Sequence, residues 1–162
     1  MILDLDIGNT LSKWRLKDAD SSEIRSRGAV WTREEWKPGS DIPDLDVVET
    51  VRISSVARRS VLAQTESLLK DRVRSVHVAR SCHEALGVTN GYHEPGRLGV
   101  DRWMACIAAR TAGRGSVLVA DAGTALTLDF VDADGRHQGG LITPGVATMR
   151  GALRRQTQLL PA

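Results

Sequence analysis

Apolar and polar residues alternate near the start of the chain. Ile2–Ile7 is an apolar run interrupted by Asp residues, and Gly8-Asn9-Thr10 joins it to a second β-type run, Leu11–Leu16. This pattern predicts two antiparallel strands joined by a tight turn. Ser26–Trp31 and Val47–Val56 are also rich in β-forming residues, so we expect a third and a fourth strand there.

Helical patterns follow these strands. Thr32 and Glu35 have the spacing of a capping box and predict a short helix at about 33–37. Ser60–Arg72 has apolar residues at helical spacing and predicts an amphipathic helix, after which Val73–Ala79 predicts a strand. Because a helical crossover usually joins parallel neighbours, this succession predicts an α/β fold with at least one parallel pair.

The second half contains one irregular stretch between regular elements. Ser81–Gly99 has several Gly residues and few periodic apolar positions, which predicts an irregular functional loop. Val100–Thr111 and Val146–Leu160 predict helices, and His137–Thr143 predicts a strand. The apolar stripe expected on the first of these helices consists of Trp103, Met104, Ile107 and Ala108.

Ser116–Val131 reads SVLVADAGTALTLDFV, two β-type runs separated by turn residues. Gly123 would let the backbone approach a phosphate, and Thr124 offers a hydroxyl and an N–H. Asp121 could hold a cation, directly or through water. The stretch therefore predicts a strand–turn–strand unit that can hold an anion.

The N-terminal turn repeats this pattern. When the N-terminal segment is aligned with Ser116–Val131 by adding 115 to its residue numbers, Asp6 aligns with Asp121 and Gly8 with Gly123. A single D-x-G is also typical of an ordinary β-hairpin turn, but two copies favour two similar half-folds. We therefore divide the chain into a first lobe at 1–115 and the start of a second lobe at 116–162, and expect the second to be incomplete.

Composition excludes several classes of protein. The chain has 162 residues, 41% of them hydrophobic, and a formal charge of +2, with no basic block and no aromatic–basic stacking platform. These features predict a globular protein without a nucleic-acid partner. No apolar run reaches membrane-spanning length, so we expect no membrane partner. Cys82 and Cys106 lack C-x-x-C spacing and no secretory leader is visible, which favours a reduced, cytoplasmic setting.

Several motifs occur in a fixed order along the chain: Asp6–Thr10 (DIGNT), Tyr92, Gly99–Arg102 (GVDR), Asp121–Thr124 (DAGT) and Gly139–Gly145 (GGLITPG). This ordered set closely resembles type III pantothenate kinases, which belong to the acetate kinase, sugar kinase, Hsp70 and actin superfamily. The resemblance implies an α/β fold: a duplicated ribonuclease H-like, actin-like ATPase fold with mixed sheets flanked by helices, its second lobe incomplete in this chain.

The resemblance implies a reaction as well. ATP would phosphorylate the primary hydroxyl of pantothenate to give 4'-phosphopantothenate, the first step of coenzyme A biosynthesis. Asp101 matches the catalytic aspartate and would act as general base. Asp121 matches the site of a monovalent cation, K⁺ or NH₄⁺, and Mg²⁺ would accompany ATP. The resemblance also implies a homodimer.

Two groups of binding residues follow from the same match. The expected ATP contacts are Asp6, Ile7, Gly8, Asn9, Thr10, Leu11, Ser12, Lys13 and Thr124. The expected pantothenate contacts are Tyr92, Gly99, Val100, Asp101 and Arg102, with the planar guanidinium of Arg102 suited to the substrate carboxylate.

Structural alternatives stay open for three of these residues. Lys13 lies on a strand and is equally well explained as an exposed lysine. Arg102 could form a salt bridge on a helix surface, and Asp101 could simply stabilise a helix N-terminus. Cys82-His83 would need further ligands to form a metal or nucleophile site, and Cys106 fits a small core residue better than a reactive thiol.

Two other functions share parts of this pattern. A non-catalytic, truncated member resembling the accessory factors of virulence gene expression would bind without turnover. A sugar or acetate kinase would share the phosphate turns but not Tyr92 and Gly99–Arg102. A full-length reading frame with an intact second lobe would favour the enzyme over the first alternative, and pantothenate tested against a panel of sugars would separate it from the second.

Overall fold

The computed structural model describes residues 1–32, 36–113 and 115–156. It divides into two compact units, Met1–Arg80 and Ser81–Ala162. The lobe boundary expected between residues 115 and 116 was based on the repeated D-x-G turn, whereas these units are defined by their compactness. The expected boundary stays a prediction. The short helix expected at about 33–37 falls largely outside the described residues.

The first unit is built on a five-stranded mixed sheet. Its strands lie in the order β3-β2-β1-β4-β5, with β1, β2 and β3 antiparallel and with β4 and β5 parallel to β1. One helix, α1, connects β4 to β5, so the predicted helical crossover between parallel strands is confirmed. The bounds are β1 Ile2–Ile7, β2 Leu11–Lys17, β3 Ile24–Trp31, β4 Thr50–Ser55, α1 Arg59–Lys70 and β5 Ser75–Val78.

The core of the first unit lies on one face of this sheet. Leu3, Leu5 and Ile7 are buried there because alternate residues of a strand point to the same face. The opposite face carries charge: Asp4 accepts hydrogen bonds from Arg15 on β2 and Arg52 on β4 at 2.6–2.9 Å. The alternation of apolar and acidic residues in β1 therefore separates a core face from an ion-paired face.

The second unit begins with the stretch expected to be irregular. It contains a short hairpin of β6 and β7 and a single 3₁₀ turn at Pro95–Arg97. A helix, α2, then leads into a three-stranded antiparallel sheet of order β10-β9-β8, followed by α3. The bounds are β6 Glu84–Ala85, β7 Val88–Thr89, α2 Val100–Ala112, β8 Val117–Ala122, β9 Ala125–Val131, β10 His137–Pro144 and α3 Val146–Gln156.

The core-facing side of α2 differs in part from the predicted stripe. Trp103 and Ile107 are buried as expected, but Met104 is 44% exposed and Ala108 is exposed as well. Cys106 is fully buried in their place, because positions 103, 106 and 107 share one helical face. The prediction that Cys106 is a core residue is thus confirmed, while Met104 and Ala108 were placed on the wrong side.

Apolar side chains remain exposed elsewhere in the second unit. On α3 they recur at helical spacing as Val146, Met149 and Leu153, and on the sheet they include Leu118 and Leu141. Among the described residues, no helix is long and apolar enough to cross a membrane.

Both units contain an antiparallel succession of three strands, β1-β2-β3 in the first and β8-β9-β10 in the second. In each, the first tight turn carries the D-x-G pattern. The five-stranded sheet of the first unit contains both parallel and antiparallel pairs and is joined by the helix α1. The expected mixed α/β architecture is confirmed.

Candidate functional site

The first D-x-G turn connects β1 to β2, and its glycine is sterically required. A Cβ on Gly8 would lie 2.6 Å from the carbonyl oxygen of Leu11, closer than real Cβ contacts. Asn9 and Thr10, the next two residues, are exposed. The turn therefore presents polar side chains to solvent around a backbone that only glycine allows.

Thr32, just after β3, fastens this turn. Its N–H donates to the carbonyl of Thr10 at 3.0 Å, and its hydroxyl donates to the carbonyl of Gly8 at 2.8 Å. Because that hydroxyl has a single proton, the 2.7 Å contact with Ser12 requires the Ser12 hydroxyl to be the donor. Ser12 is fully buried, as is Ile7, so these two side chains support the turn from inside.

Asp6 and Lys13 are directly opposite each other on β1 and β2, and both side chains are exposed. A carboxylate and an ammonium therefore share one face of the sheet beside the turn. The exposure of Lys13 fits a solvent-facing lysine as well as a phosphate ligand, so its role stays a prediction.

The second D-x-G turn is held by the segment that begins α3. The carbonyl of Thr124 accepts hydrogen bonds from the Gly145 N–H and the Thr148 hydroxyl, both at 2.8 Å. Asp121, the predicted cation ligand, is exposed near the end of β8. The GGLITPG motif therefore ends at a residue that holds the second turn in place.

The required glycine in this region is Gly145, not the glycine of the D-x-G pattern. A Cβ on Gly123 would have its nearest neighbour, the Ala125 carbonyl oxygen, at 3.9 Å, which is ordinary van der Waals contact. A Cβ on Gly145 would collide with the Gly123 carbonyl oxygen and lie 2.9 Å from that of Thr124. Position 145 therefore requires glycine because the backbone of the second turn passes too close to leave room for a side chain.

The predicted substrate segment lies where α2 begins. Gly99 immediately precedes the helix, and the half-buried Asp101 lies in its first turn. One carboxylate oxygen of Asp101 accepts from the Arg102 N–H at 2.7 Å, and a Cβ on Gly99 would lie 2.7 Å from the same oxygen. This contact is expected of an acidic residue at a helix N-terminus, so the catalytic role of Asp101 stays a prediction.

Arg102 forms a buried, bidentate ion pair with Asp129 of β9. Nε donates to one carboxylate oxygen at 2.8 Å and Nη2 to the other at 2.7 Å. The side chains are 11% and 1% exposed, so this pair is not the surface salt bridge considered from sequence. A substrate carboxylate would therefore have to approach a different edge of the guanidinium.

The ionisation of this pair follows from its contacts. Burial opposes the charged form of Asp129, but hydrogen bonds from Arg102 and His137 outweigh burial and lower the pKa of the carboxyl group. The hydrogen bond to Asp129 raises the pKa of Arg102 above its usual value, against burial. Both groups are thus charged at neutral pH.

His137 and Tyr92 extend this network. Nε2 of His137 lies 2.8 Å from a carboxylate oxygen of Asp129, and the Tyr92 ring stacks on the imidazole with centroids 6.0 Å apart. Two residues expected to bind substrate, Tyr92 and Arg102, are therefore brought together by two residues that sequence reasoning missed, Asp129 and His137.

A sequence signal for Asp129 was available. In β9, Thr127, Asp129 and Val131 alternate on one face of the strand, and all three are buried. An acidic residue in phase with a buried apolar residue indicates a paired charge. Its partner, 27 residues away along the chain, could not be read from local spacing.

Glycine makes room for the ion pair. A Cβ on Gly140 of β10 would collide with a carboxylate oxygen of Asp129 and lie 2.5 Å from Nη2 of Arg102. A Cβ on Gly91 would collide with the carbonyl oxygen of His137. The backbone therefore passes close to the Asp129 network on two sides.

The potential ligand atoms of Cys106, Asp129 and His137 lie within 4.8 Å of one another. Two observations argue against a metal centre there. The guanidinium of Arg102 already occupies the Asp129 carboxylate, and burial raises the pKa of the Cys106 thiol to about 11, so that it stays protonated. This cluster does not include Cys82 or His83.

A cavity of about 640 Å³ lies elsewhere on the second unit, and its lining contains none of the predicted site residues. It is lined by Leu86, Gly87, Arg110, Thr111, Ala112, Gly113, Gly115 and Ala133.

Solved structures share this fold. A conserved protein of Campylobacter jejuni assigned to the Baf family of transcriptional activators matches with a TM-score of 0.59 and 22% identity, over 99% of this chain and 63% of the other. A Sinorhizobium meliloti protein assigned as a 2-dehydro-3-deoxygalactonokinase matches with a TM-score of 0.59 and 14% identity, over 98% of this chain and 58% of the other. The chain thus shares its α/β fold with both of these proteins.

Sequence comparison identifies the family. A family model for type III pantothenate kinase matches residues 2–162. Proteins of that name from Chromohalobacter salexigens and Azotobacter vinelandii are 66% and 42% identical to this chain, each over 98% of its length. The chain belongs to the type III pantothenate kinase family. It spans 56% and 63% of the length of these two relatives.

Proposed function

We propose that this protein transfers the γ-phosphoryl group of ATP to pantothenate, giving 4'-phosphopantothenate in the first step of coenzyme A biosynthesis. One structural observation carries the proposal beyond family membership. Tyr92 stacks on His137, whose ring contacts the Asp129 carboxylate that Arg102 binds. The two side chains expected to bind pantothenate therefore belong to one cluster, and Arg102 directly follows Asp101 in the first turn of α2. A substrate held there would lie beside the proposed base.

Asp101 acts as the general base in this proposal. It would accept or orient the proton of the primary hydroxyl as the alcohol attacks the γ-phosphorus in line. Its carboxylate faces the first N–H groups of α2, where it accepts from Arg102. Because the phosphoryl group develops little new covalent bonding, positioning and charge neutralisation provide most of the rate.

The first D-x-G turn binds the phosphates of ATP. Exposed Asn9 and Thr10 side chains, the required Gly8 and the exposed Lys13 ammonium beside Asp6 support this role. A backbone without a Cβ and a nearby cation suit an anionic ligand. Thr124, exposed in the second turn, would provide a further ATP contact.

Two kinds of cation complete the proposal. Asp121 offers an exposed carboxylate, and oxygen donors suit a hard cation such as K⁺ or NH₄⁺ at this position. Mg²⁺ would bind with the ATP phosphates and neutralise their charge during transfer.

We further propose a homodimer in the cytoplasm. The exposed apolar residues Val146, Met149 and Leu153 recur along one side of α3, as a self-complementary contact surface would require. The free thiols of Cys82 and Cys106 fit a reducing compartment.

The test offers pantothenate, acetate and several sugars, each with ATP, Mg²⁺ and K⁺, and identifies products by mass spectrometry. We expect phosphorylation of pantothenate alone. A phosphorylated sugar or acetate would replace the proposal with another kinase of the superfamily. Binding of pantothenate without turnover, measured by calorimetry, would favour a non-catalytic member of the family.

A further inference from the structure

Asp129 is a buried charge for which the proposed reaction has no direct use. Its side chain is 1% exposed. The carboxylate accepts two hydrogen bonds from Arg102, and Nε2 of His137 lies 2.8 Å from one of its oxygens. Removing two charges from water is expensive, and a buried ion pair is often no more stabilising than apolar residues of the same size. A role beyond stability therefore needs to be considered for this pair.

The surrounding backbone is shaped for the same pair. Gly140 of β10 packs so closely that a Cβ would meet both the Asp129 carboxylate and Nη2 of Arg102. The fork of Arg102 is thus fixed by Asp129 along one edge and bounded by β10.

Such a guanidinium is preorganised. An arginine side chain normally loses rotamer freedom when it pairs with a carboxylate, and this loss weakens binding. When the Nε and Nη2 edge is already held, the orientation of the remaining N–H groups is set before substrate arrives. A substrate carboxylate would then meet donors with fixed directions.

We propose that Asp129 is a positioning residue that aims Arg102 at the carboxylate of the substrate, with Gly140 providing the space for the pair. The proposal rests on the proposed function, because it takes Arg102 as a pantothenate contact. It adds the physical origin of selectivity: the site favours a substrate that carries a carboxylate over the same molecule with a neutral group there.

The test compares pantothenate with its primary amide analogue, which lacks the negative charge. Binding of each ligand is measured by calorimetry on the unmodified protein and on Asp129→Asn. We expect Asp129→Asn to weaken pantothenate binding by about tenfold or more, the size of one charge-assisted hydrogen bond, and to change amide binding by less than about threefold. The ratio of the two affinities is the readout that a purely structural role would not change.

Two further variants make the test specific. Asp4→Asn removes another aspartate that is bracketed by arginines, in the first unit, and should leave the ratio unchanged. Asp129→Glu keeps the negative charge but displaces the carboxylate from the fork of Arg102, and it should lower the ratio in the same direction as Asp129→Asn. If Asp129→Asn unfolds, as judged by circular dichroism, Asp129→Glu decides the outcome.

The outcomes separate the two proposals. A lower ratio in Asp129→Asn and Asp129→Glu, but not in Asp4→Asn, supports the positioning role. Equal weakening of both ligands overturns it and leaves the proposed function intact. If the unmodified protein binds neither ligand, the proposed function is wrong and the positioning role is overturned with it.

Discussion

The two D-x-G turns have the same sequence pattern but are stabilised by hydrogen bonds from different parts of the chain. In the first, Thr32 from the end of β3 bonds to the carbonyls of Gly8 and Thr10. In the second, the residues that begin α3 bond to the carbonyl of Thr124. The duplicated motif therefore specifies a turn, while each unit provides its own support.

The glycine requirement differs in the same way. In the first turn, the motif glycine itself is required, because Gly8 approaches the Leu11 carbonyl. In the second, Gly123 has room for a Cβ and the required glycine is Gly145, which packs on the turn from outside. The connections also differ in length: the last paired residues are Ile7 and Ser12 in one, and Ala122 and Leu126 in the other. Residues at equivalent positions of a repeated motif thus need not have the same structural role.

The largest effect is expected for Gly145→Ala. The added methyl would meet backbone oxygens of both Gly123 and Thr124, which cannot move as a flexible side chain would. We expect a loss of about 3 kcal/mol in the free energy of unfolding, measured by urea denaturation. Gly123→Ala is the matched control and should change stability by less than about 0.5 kcal/mol. Equal effects of the two variants would contradict the comparison.

Gly8→Ala should have the next largest effect. Its Cβ would meet one backbone oxygen at 2.6 Å, so the turn must shift. We expect a loss of about 2 kcal/mol in unfolding free energy, together with weaker ATP binding in a nucleotide titration. Gly123→Ala again serves as the control for stability. Unchanged stability in Gly8→Ala would show that the first turn has the same freedom as the second.

Thr32→Val tests the side-chain support of the first turn. The substitution keeps the shape but removes the hydroxyl that bonds to Gly8 and Ser12, leaving a buried Ser12 hydroxyl without this acceptor. We expect a loss of about 1–2 kcal/mol in unfolding free energy. A double variant with Ser12→Ala should lose less than the sum of the single variants, because both belong to one network. Additive losses would argue against that network.

The smallest effect is expected for Thr148→Val on the second turn. Thr148 is exposed, so water can replace part of its bond to the Thr124 carbonyl. We expect a loss of about 0.5–1 kcal/mol in unfolding free energy. Thr143→Val, an exposed threonine on β10, provides a matched substitution. A loss as large as that of Thr32→Val would show that both turns rely on side chains to the same extent.

Much of the fold could be predicted from local patterns. The alternation in Ile2–Ile7, the D-x-G turns and the periodicity of Ser60–Arg72 correspond to β1, the two turns and α1. These signals depend on residues that are close in sequence, and the strand and helix periods make them readable. The side of α2 that faces the core was predicted only in part, because Cys106 and Met104 fit an apolar stripe equally well.

The support of the candidate site was less predictable. Asp129 is held by Arg102 on another element, and Gly140 is required because β10 passes close to that pair and to the carbonyl oxygen of Leu128 on β9. Likewise, nothing near Gly145 in the sequence shows that it packs against Gly123. Contacts between different secondary-structure elements determine which residues are needed at these positions, and such contacts cannot be read from local sequence. The motif residues could be recognised because they occur in a fixed order along the chain.

The most direct test of the proposed function is the rate of ATP-dependent phosphorylation of pantothenate by the unmodified protein and by Asp101→Asn, with pantothenate binding measured in parallel. The general-base role predicts that turnover falls by about a hundredfold or more, while pantothenate binding changes by only a few-fold. Turnover that is unchanged in Asp101→Asn would contradict the role of Asp101 in catalysis and leave it as a residue that stabilises the start of α2.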